Sequence, residues 1–464
     1  MSTSSSSAPH DAQTLAALVA PPAGSAMGKR DFLWGVATAS YQIEGAIAED
    51  GRLPSIWDTF SAIPGKVLHG DTGDVACDHY HRWSEDADLI ESLGVDSYRL
   101  SLAWPRVMDE AGKPNSKGLD FYKRLLDRLA DKGIQRLVTL YHWDLPQHLE
   151  DRGGWLNRDT AYRFAEYADL VSRELKGRVT AWATLNEPWC SAYLGYGNGH
   201  HAPGLANPRY PTQALHHLLL GHGLALPFLE ANDPGAQRGI VCNVGRGTTD
   251  SEKEVDKIAA QRYEVQHNDW VLEPLLKGTY PAEVFKLWPG TEPLVLEGDM
   301  EIISRPMDFM GINYYFRCNL HSDGGTGFVD VPLKNVERTQ MGWEVYPEGL
   351  EHLLCEFKAK YDRLPPIYIT ENGMASDDNV VNGEVDDEQR QRFMKSHFAA
   401  VSRAIDAGVD VRGYFAWSLM DNFEWAFGYE RRFGIVHVDY KTQVRTLKRS
   451  AQAFQAFLAL RKGS

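Results

Sequence analysis

The sequence predicts an α/β fold in which parallel strands close into a single (β/α)8 barrel with long loops at the C-terminal face. Eight short apolar runs recur along the chain, and several segments between them carry apolar residues at helical spacing. Strands that alternate with helices form a parallel sheet, and eight such units close a TIM barrel. No linker or shift in composition divides the chain, so we expect one barrel domain over residues 28–464 after a disordered tail at residues 1–27.

The strands and helices are expected as follows. In chain order the strand-like runs are Phe32–Ala37, Ser97–Leu102, Leu137–Tyr141, Ala181–Leu185, Gly239–Val244, Phe309–Ile312, Ile367–Thr370 and Tyr414–Trp417. Three apolar stripes at helical spacing lie between them: Leu119, Tyr122, Leu126 and Leu129; Phe164, Tyr167, Val171 and Leu175; and Met394, Phe398, Val401 and Ile405. Gly177 and Gly408 are expected to end the last two helices. The longer intervals predict loop insertions that shape the barrel mouth.

Composition restricts the class of partner. The net charge is −15 and no Lys/Arg block offsets it, which disfavours binding to nucleic acid or to an anionic membrane surface. No apolar run approaches transmembrane length. Aromatic residues make up 11% of the chain and include 13 Trp, a composition that suits stacking against sugar rings. A neutral small-molecule substrate fits this chain best, and homo-oligomerisation is left open.

The cysteines and the N-terminal segment predict the compartment. Five scattered cysteines, with no C-x-x-C pair, indicate neither a disulfide framework nor a zinc site. The apolar patch Leu15–Ala20 lacks a preceding basic region, so we expect no signal peptide. No N-glycosylation sequon occurs. We therefore expect a cytoplasmic protein.

Polar residues follow the predicted strands, where a barrel of this kind collects its active site. They are Gln42 after the first run, Arg99 within the second, His142-Trp143-Asp144 after the third, Asn186-Glu187 after the fourth, Asn313-Tyr314-Tyr315 after the sixth, Glu371-Asn372 after the seventh and Trp417 at the end of the eighth. The set contains no strand-end lysine, no serine elbow and no metal triad, and the histidine pairs elsewhere lack convergent ligands. We therefore expect neither a metal nor a cofactor.

Two carboxylates dominate this set. Glu187 and Glu371 each end an apolar run beside an asparagine. Glycoside hydrolysis needs one carboxylic acid to protonate the leaving oxygen and a second carboxylate to attack the anomeric carbon or to activate water. The pair therefore predicts two-carboxylate chemistry on a sugar.

Four segments resemble glycoside hydrolase family 1, the β-glucosidase family, with a likeness to its intracellular, fungal-type members. They are the N-terminal Phe32-Leu-Trp-Gly-Val-Ala-Thr-Ala-Ser-Tyr-Gln-Ile-Glu-Gly45, Asn186-Glu-Pro188, Ile369-Thr-Glu-Asn-Gly373, and Trp417-Ser-Leu-Met-Asp-Asn-Phe-Glu-Trp425. The resemblance runs from about Phe32 to about Lys448. It implies that Glu187 is the general acid/base and Glu371 the nucleophile of a retaining mechanism, with carboxyl groups about 5 to 5.5 Å apart.

The surroundings of Glu371 follow from the same resemblance. Arg99 is expected to favour its ionised form, unless that arginine forms a structural ion pair elsewhere in the barrel. Asn313 and Tyr315 are expected to donate hydrogen bonds to it. Tyr314 is the alternative to Tyr315, because adjacent side chains on a strand point to opposite faces.

The sugar-binding residues are also implied by the resemblance. Trp343 resembles the platform for the aglycone, although a buried tryptophan fits the same pattern. The residues that match the family's glycone site, together with the neighbouring Trp143, are Gln42, His142, Asn186, Trp417, Glu424 and Trp425.

The activity implied is hydrolysis of terminal non-reducing β-D-glucosyl residues from cellobiose, short cello-oligosaccharides and aryl β-glucosides, with transglycosylation as an accompanying reaction. Such an enzyme would take part in cellulose degradation. The alternatives are a β-galactosidase or β-fucosidase of the same family and a non-catalytic sugar-binding barrel. Glu187 disfavours a thioglucosidase, because in such enzymes glutamine replaces the acid/base. Glu424 disfavours activity on 6-phosphoglycosides, because its carboxylate would repel the phosphate.

Overall fold

The computed structural model describes residues 7–463 and contains the predicted closed barrel. Each strand pairs in parallel with its neighbours in the chain, and the eighth strand pairs with the first. The eight strands, in order, are Leu33–Ala37, Ser97–Ser101, Gln135–Tyr141, Ala181–Asn186, Gln237–Thr248, Phe309–Ser322, Ile367–Asn372 and Val411–Trp417. The prediction of a (β/α)8 barrel is confirmed.

A main helix follows each barrel strand. These helices are His79–Leu93, Ser116–Asp131, Asp159–Glu174, Pro211–Asn232, Glu254–Glu264, Pro347–Lys360, Glu388–Asp406 and Arg449–Gly463. The three predicted apolar stripes lie on the second, third and seventh of these helices. Almost all residues of the stripes are buried against the barrel. Gly177 and Gly408 adopt positive φ just beyond the ends of two of these helices.

Long loops at the C-terminal face carry further short elements, as expected. Helical elements in these connections include Ser40–Ile43, Ile56–Ser61, Trp104–Val107, Gln147–Glu150, Trp270–Lys277, Ala282–Leu287 and Asp299–Ile303, and the π-helical turns Cys190–Gly197 and Val265–Asp269. The sixth strand runs well beyond the predicted Phe309–Ile312 and pairs with the antiparallel strand Phe328–Asp330. A second small hairpin joins Val436–Val438 to Arg445–Leu447.

Aromatic rings fill the barrel interior. Phe309, Tyr368 and Phe415 belong to one buried cluster, and the rings of Phe309 and Tyr368 lie 5.4 Å apart. A Cβ on Gly35 would lie 2.4 Å from the Phe415 ring, so glycine in the first strand makes room for that ring. The interior is a packed core, and side chains for chemistry are presented at the C-terminal ends of the strands.

The N-terminal segment differs from the expected disordered tail. Ser7–Ala16 forms a helix that packs against the last helix of the barrel. Val19 and Met27 are wholly buried, and Lys395 donates a hydrogen bond to the carbonyl of Ala17 at 2.9 Å. The composition of this segment predicts disorder, but Ala16, Val19 and Met27 are buried and Leu15 and Leu18 pack partly against the same core. Residues 1–6 of the predicted tail lie outside the described residues. Within residues 7–463, no helix is long and apolar enough to cross a membrane.

Candidate active site

A cavity of about 740 Å³ opens at the C-terminal face and collects the predicted site residues. Its lining includes ten of them: His142, Trp143, Glu187, Asn313, Tyr315, Trp343, Glu371, Trp417, Glu424 and Trp425. The other three, Arg99, Gln42 and Asn186, are buried directly behind this lining and hydrogen-bond to it. The barrel therefore brings together polar side chains from seven of its strands and the loops that follow them.

Glu371, in the seventh strand, is held by a cation and a phenol. Arg99 Nη1 donates to Glu371 Oε1 at 2.5 Å, and Tyr315 Oη donates to Glu371 Oε2 at 2.6 Å. Tyr314 points away and bonds the carbonyl of Tyr346, so Tyr315 is the inward residue. Arg99 is wholly buried and pairs with this carboxylate, which excludes a structural ion pair elsewhere in the barrel. The guanidinium thus places a positive charge directly beside this carboxyl group.

Glu187 lies directly after the fourth strand in a different environment. Its backbone has a φ of +48°, a conformation that costs a non-glycine residue about 1–3 kcal/mol and is typical of functional sites. Asn313 Nδ2 donates to Glu187 Oε1 at 2.7 Å. The expectation that Asn313 bonds Glu371 is therefore wrong, because the amide faces the fourth strand and Thr370 Oγ1 holds its oxygen at 2.7 Å.

The pKa of Glu187 follows from these contacts. Burial, followed by the nearby Glu371 carboxylate, raises the pKa of Glu187 to about 8. Hydrogen bonds from Asn313 and the Cys190 thiol, and the charge of Arg99, act in the opposite direction but are outweighed. Glu187 thus holds its proton at neutral pH, beside a carboxylate that is paired with arginine. The two carboxyl groups therefore lie in contrasting environments, one beside a cation and one among neutral donors, as an acid and a nucleophile require.

His142, directly after the third strand, and Asn186, at the end of the fourth, lie side by side at the barrel mouth. Asn186 Oδ1 accepts from Arg99 Nη2 at 2.7 Å, and its Nδ2 lies 3.0 Å from His142 Nε2. Burial, and to a lesser degree Arg99, lowers the pKa of His142 well below its usual range, so the ring is neutral. Trp143 Nε1 donates to the Asn186 carbonyl at 2.9 Å and fixes the end of the fourth strand.

Gln42 and Glu424 form the opposite side of the cavity. Gln42 Nε2 donates to Asn422 Oδ1 and to the carbonyl of Phe423, both at 2.9 Å, and lies 3.5 Å from Glu424 Oε2. Burial and the carboxylates of Glu371 and Glu187 raise the pKa of Glu424 to about 8. Gln42 Oε1 and His142 Nδ1 are buried and have no partner among the described residues, so both can bond hydroxyl groups of a ligand.

Aromatic rings form the walls. The His142 ring is nearly parallel to Trp417 and Trp425, at centroid distances of 5.9 and 6.0 Å. Trp343 is half-buried, stacks on Phe316 at 4.8 Å and lines the cavity, so it is not a core tryptophan. Flat apolar faces of this kind pack against the apolar faces of a sugar or an aryl group.

Some lining residues give little signal in the sequence. Cys190 lines the cavity from the π-helical turn Cys190–Gly197 and Phe433 lines it from a loop, and no regular apolar spacing in the sequence marks the direction of either side chain. Asp144 follows the third strand as predicted, but it is buried and accepts from Ser40 Oγ at 2.9 Å rather than lining the cavity. Glu44 likewise pairs with the buried Arg106 at 2.9 Å. In residues 7–463, no group of three His, Cys, Asp or Glu side chains is arranged to hold a metal ion.

Comparison with known proteins agrees with this geometry. A β-glucosidase of Agrobacterium sp. is 46% identical over 432 residues, which are 92% of this chain and 94% of the relative. A bifunctional β-D-glucosidase/β-D-fucosidase of Bifidobacterium breve is 45% identical over 459 residues, 93% of this chain and 98% of the relative. Both organisms are bacteria, which gives the fungal-type likeness no support.

The solved structures give the same result. The crystal structure of the AHE enzyme from Alicyclobacillus herbarius is 48% identical and superposes with a TM-score of 0.91, covering 94% of this chain and 98% of that one. The profile of glycosyl hydrolase family 1 matches residues 26–463, nearly the whole chain. The chain therefore belongs to glycosyl hydrolase family 1.

Proposed function

We propose that this protein is a retaining β-glucosidase that removes terminal β-D-glucosyl residues from cellobiose, short cello-oligosaccharides and aryl β-glucosides. The observation that carries the proposal is the contrast between two carboxyl groups in one cavity. Glu371 is paired with Arg99, whereas Glu187 has neutral donors and a raised pKa. One group is suited to attack and the other to give a proton.

In the first step Glu371 attacks the anomeric carbon. The carbon–oxygen bond to Glu371 forms while the glycosidic carbon–oxygen bond breaks. Glu187 gives its proton to the departing aglycone oxygen, which leaves as an alcohol or a phenol. Tyr315 and Arg99 hold the attacking carboxylate in place before reaction.

In the second step a water molecule attacks the same carbon from the opposite side. Glu371 carries no charge once it is esterified, so the repulsion that raises the pKa of Glu187 is removed, and the now ionised Glu187 takes a proton from the water. Glu371 departs as a carboxylate. Two inversions leave the product in the β configuration.

The sugar is held by Gln42, His142, Asn186 and Glu424, with the rings of Trp143, Trp417 and Trp425 around it. Trp343 and the rest of the wide cavity would receive the aglycone. The decisive test is hydrolysis of a panel of 4-nitrophenyl β-glycosides by the purified protein, with the anomeric configuration of the first-formed sugar read by NMR. Hydrolysis without a preference for β-glucosides, or a first product in the α configuration, would contradict the proposal.

A β-fucosidase or β-galactosidase is the second candidate. The name of the Bifidobacterium breve relative includes β-D-fucosidase, which supports activity on a 6-deoxy sugar in the same pocket. A non-catalytic sugar-binding barrel is disfavoured, because both carboxylates are present and lie in contrasting environments.

Glu424 is expected to set the choice of sugar. The raised pKa of Glu424, about 8, leaves it largely neutral at pH 7. If it bonds both O4 and O6 of glucose, Glu424→Gln should cost about 1 to 3 kcal/mol in transition-state binding of a β-glucoside, because each hydrogen bond between neutral groups contributes about 0.5 to 1.5 kcal/mol. A β-fucoside lacks the O6 hydroxyl and should lose less. The measurement is kcat/KM for both 4-nitrophenyl glycosides in wild type and variant. An equal fractional loss on the two substrates would mean that Glu424 does not bind O6.

The pH profile is expected to report Glu187. Since the acid must carry its proton and its pKa is raised to about 8, kcat/KM should fall as the pH rises through that region. Cys190→Ala removes a donor that stabilises ionised Glu187, so the pKa should rise and the alkaline limb should move to higher pH. Cys190→Ser is the matched control, because its hydroxyl keeps a donor and should leave the limb near its wild-type position. A downward shift in Cys190→Ala would count against this assignment.

We also propose a cytoplasmic location and a role in the final steps of cellulose degradation. The described cysteines are all free thiols, and Cys77, Cys190 and Cys242 are buried, which suits a reducing compartment.

Homo-oligomerisation is a further proposal, which light scattering on the purified protein would test. Fractionation of the source cells, with activity measured in each fraction, tests the location.

A further inference from the structure

A buried ion cluster lies beneath two of the loops that form the cavity. We use this term for Asp378, Asp387, Arg390, Asp421, Arg432 and Lys448. Lys448 is at its centre, wholly buried, and its ammonium donates to Asp421 Oδ1 at 2.7 Å and to Asp378 Oδ2. Burial lowers the pKa of this ammonium, while both aspartates oppose the change.

The cluster is balanced in charge. Arg390 pairs with Asp378 at 2.8 Å and with Asp387 at 2.6 Å, and Arg432 pairs with Asp421 at 2.7 Å. Although burial acts in the opposite direction, Arg390 and Lys448 lower the pKa of Asp378 to about 2. Three cations thus face three carboxylates, and removing one of them leaves a buried charge without its partner.

The two aspartates that Lys448 joins belong to different loops of the site. Asp378 lies in the loop that follows Glu371, and Asp421 lies in the loop between Trp417 and Glu424. The loops also meet at their start, where a Cβ on Gly373 would lie 1.7 Å from the carbonyl oxygen of Trp417. Each loop therefore has little freedom to move without the other.

A short chain of bonds leads from Asp421 to the sugar-binding side of the cavity. Asp421 Oδ1 also accepts from the backbone of Gly434 at 3.0 Å, which fixes its carboxylate. The next residue, Asn422, accepts from Gln42 at 2.9 Å, and Gln42 in turn reaches Glu424. A shift of Asp421 would therefore move both groups that face the sugar from this side.

We propose that Lys448 is a positioning residue for sugar recognition. It binds the loop of residues 418–425 to the loop that follows Glu371, so that Glu424 and the attacking carboxylate face the same sugar ring. This inference rests on the proposed function. It predicts that loss of Lys448 changes which sugar is preferred, in addition to any loss of stability.

The test compares kcat/KM for 4-nitrophenyl β-glucoside and β-fucoside in wild type and Lys448→Met. We expect the glucoside to lose about tenfold or more and the fucoside clearly less, because O6 of glucose would lose its contact with Glu424. Asp299→Asn is the matched control. Asp299 is also buried, pairs with Arg158 and hydrogen-bonds to His216 of the fourth outer helix, so its loss should lower Tm and leave the glucoside-to-fucoside ratio unchanged.

A double-mutant cycle separates positioning from stability. Lys448→Met in the Glu424→Gln background should cause no further change in the ratio, because both changes act on the same contact. If Lys448→Met does not fold, Asp378→Asn takes its place with the same readout, since it removes one of the two acceptors of the ammonium. An unchanged ratio in the variant that folds, or additive changes in the cycle, would overturn the inference. An inactive wild type on both substrates would instead contradict the proposed function.

Discussion

Glu371→Ala is expected to lose nearly all turnover, on the order of 10⁵-fold, because loss of an enzyme's nucleophile has effects of this size. Sodium azide should restore release of the aglycone. The small anion fits the space left by the carboxylate and attacks the anomeric carbon from the same side, while Glu187 still gives its proton to the leaving group. The sugar product should be α-glucosyl azide. The rate of aglycone release with and without azide, and NMR of the product, check both expectations.

The control for this variant is Glu264→Ala. Glu264 is also a largely buried carboxyl group, and burial raises its pKa to about 7, but it is not among the residues that line the cavity. It should keep its turnover per folded molecule and show no response to azide. Full activity of Glu371→Ala without azide, or a β-configured azide product, would show that another group is the nucleophile.

Glu187→Ala is expected to depend strongly on the leaving group. For cellobiose, kcat/KM should fall by about 10² to 10⁴-fold, the contribution of general acid catalysis. An aryl glucoside with a dinitrophenolate leaving group needs little proton donation, so Glu371 should still form the ester. The second step then lacks its base, and a burst of phenolate followed by slow turnover should be seen.

Azide gives the opposite stereochemistry in this variant. It should attack the glycosyl ester from the side that Glu187 occupied and form β-glucosyl azide, because the ester at Glu371 has the α configuration. The pair of variants therefore assigns the two carboxylates independently. Equal losses of kcat/KM for cellobiose and for the activated aryl glucoside would contradict an acid/base role for Glu187. If the Glu187→Ala variant formed α-glucosyl azide, the roles of Glu187 and Glu371 would be exchanged.

The strand ends could be predicted because their pattern is local. Apolar, β-branched runs end at Asn186-Glu187 and at Glu371-Asn372, as buried barrel strands do where they end at the barrel mouth. Eight such runs are the number that a closed barrel requires. The choice between Tyr314 and Tyr315 could not be made in this way. The pairing of the sixth and seventh strands shifts register between Ile312 and Asn313, so alternation along the strand does not carry across that point.

The N-terminal helix and Trp343 required the tertiary structure for another reason. The composition of residues 7–27 is that of a tail, and Ala16 and Val19 become buried only because the folded barrel offers the surface of its outer helices. The sequence around Trp343 does not distinguish a tryptophan in the core from one at the barrel mouth. Its position is decided by Phe316 and Tyr315, which extend the sixth strand beyond the barrel.

The sequence by itself determined the barrel, the residue types at its mouth and the presence of Glu187, Glu371 and Glu424 among them. It did not determine their charge states, because three glutamates are chemically identical until they are placed. Arg99, 272 positions away in the chain, reaches Glu371, whereas Glu187 and Glu424 are buried beside negative charge and have pKa values near 8. Ionisation depends on burial and on charges a few ångströms away, and only the folded chain fixes those distances.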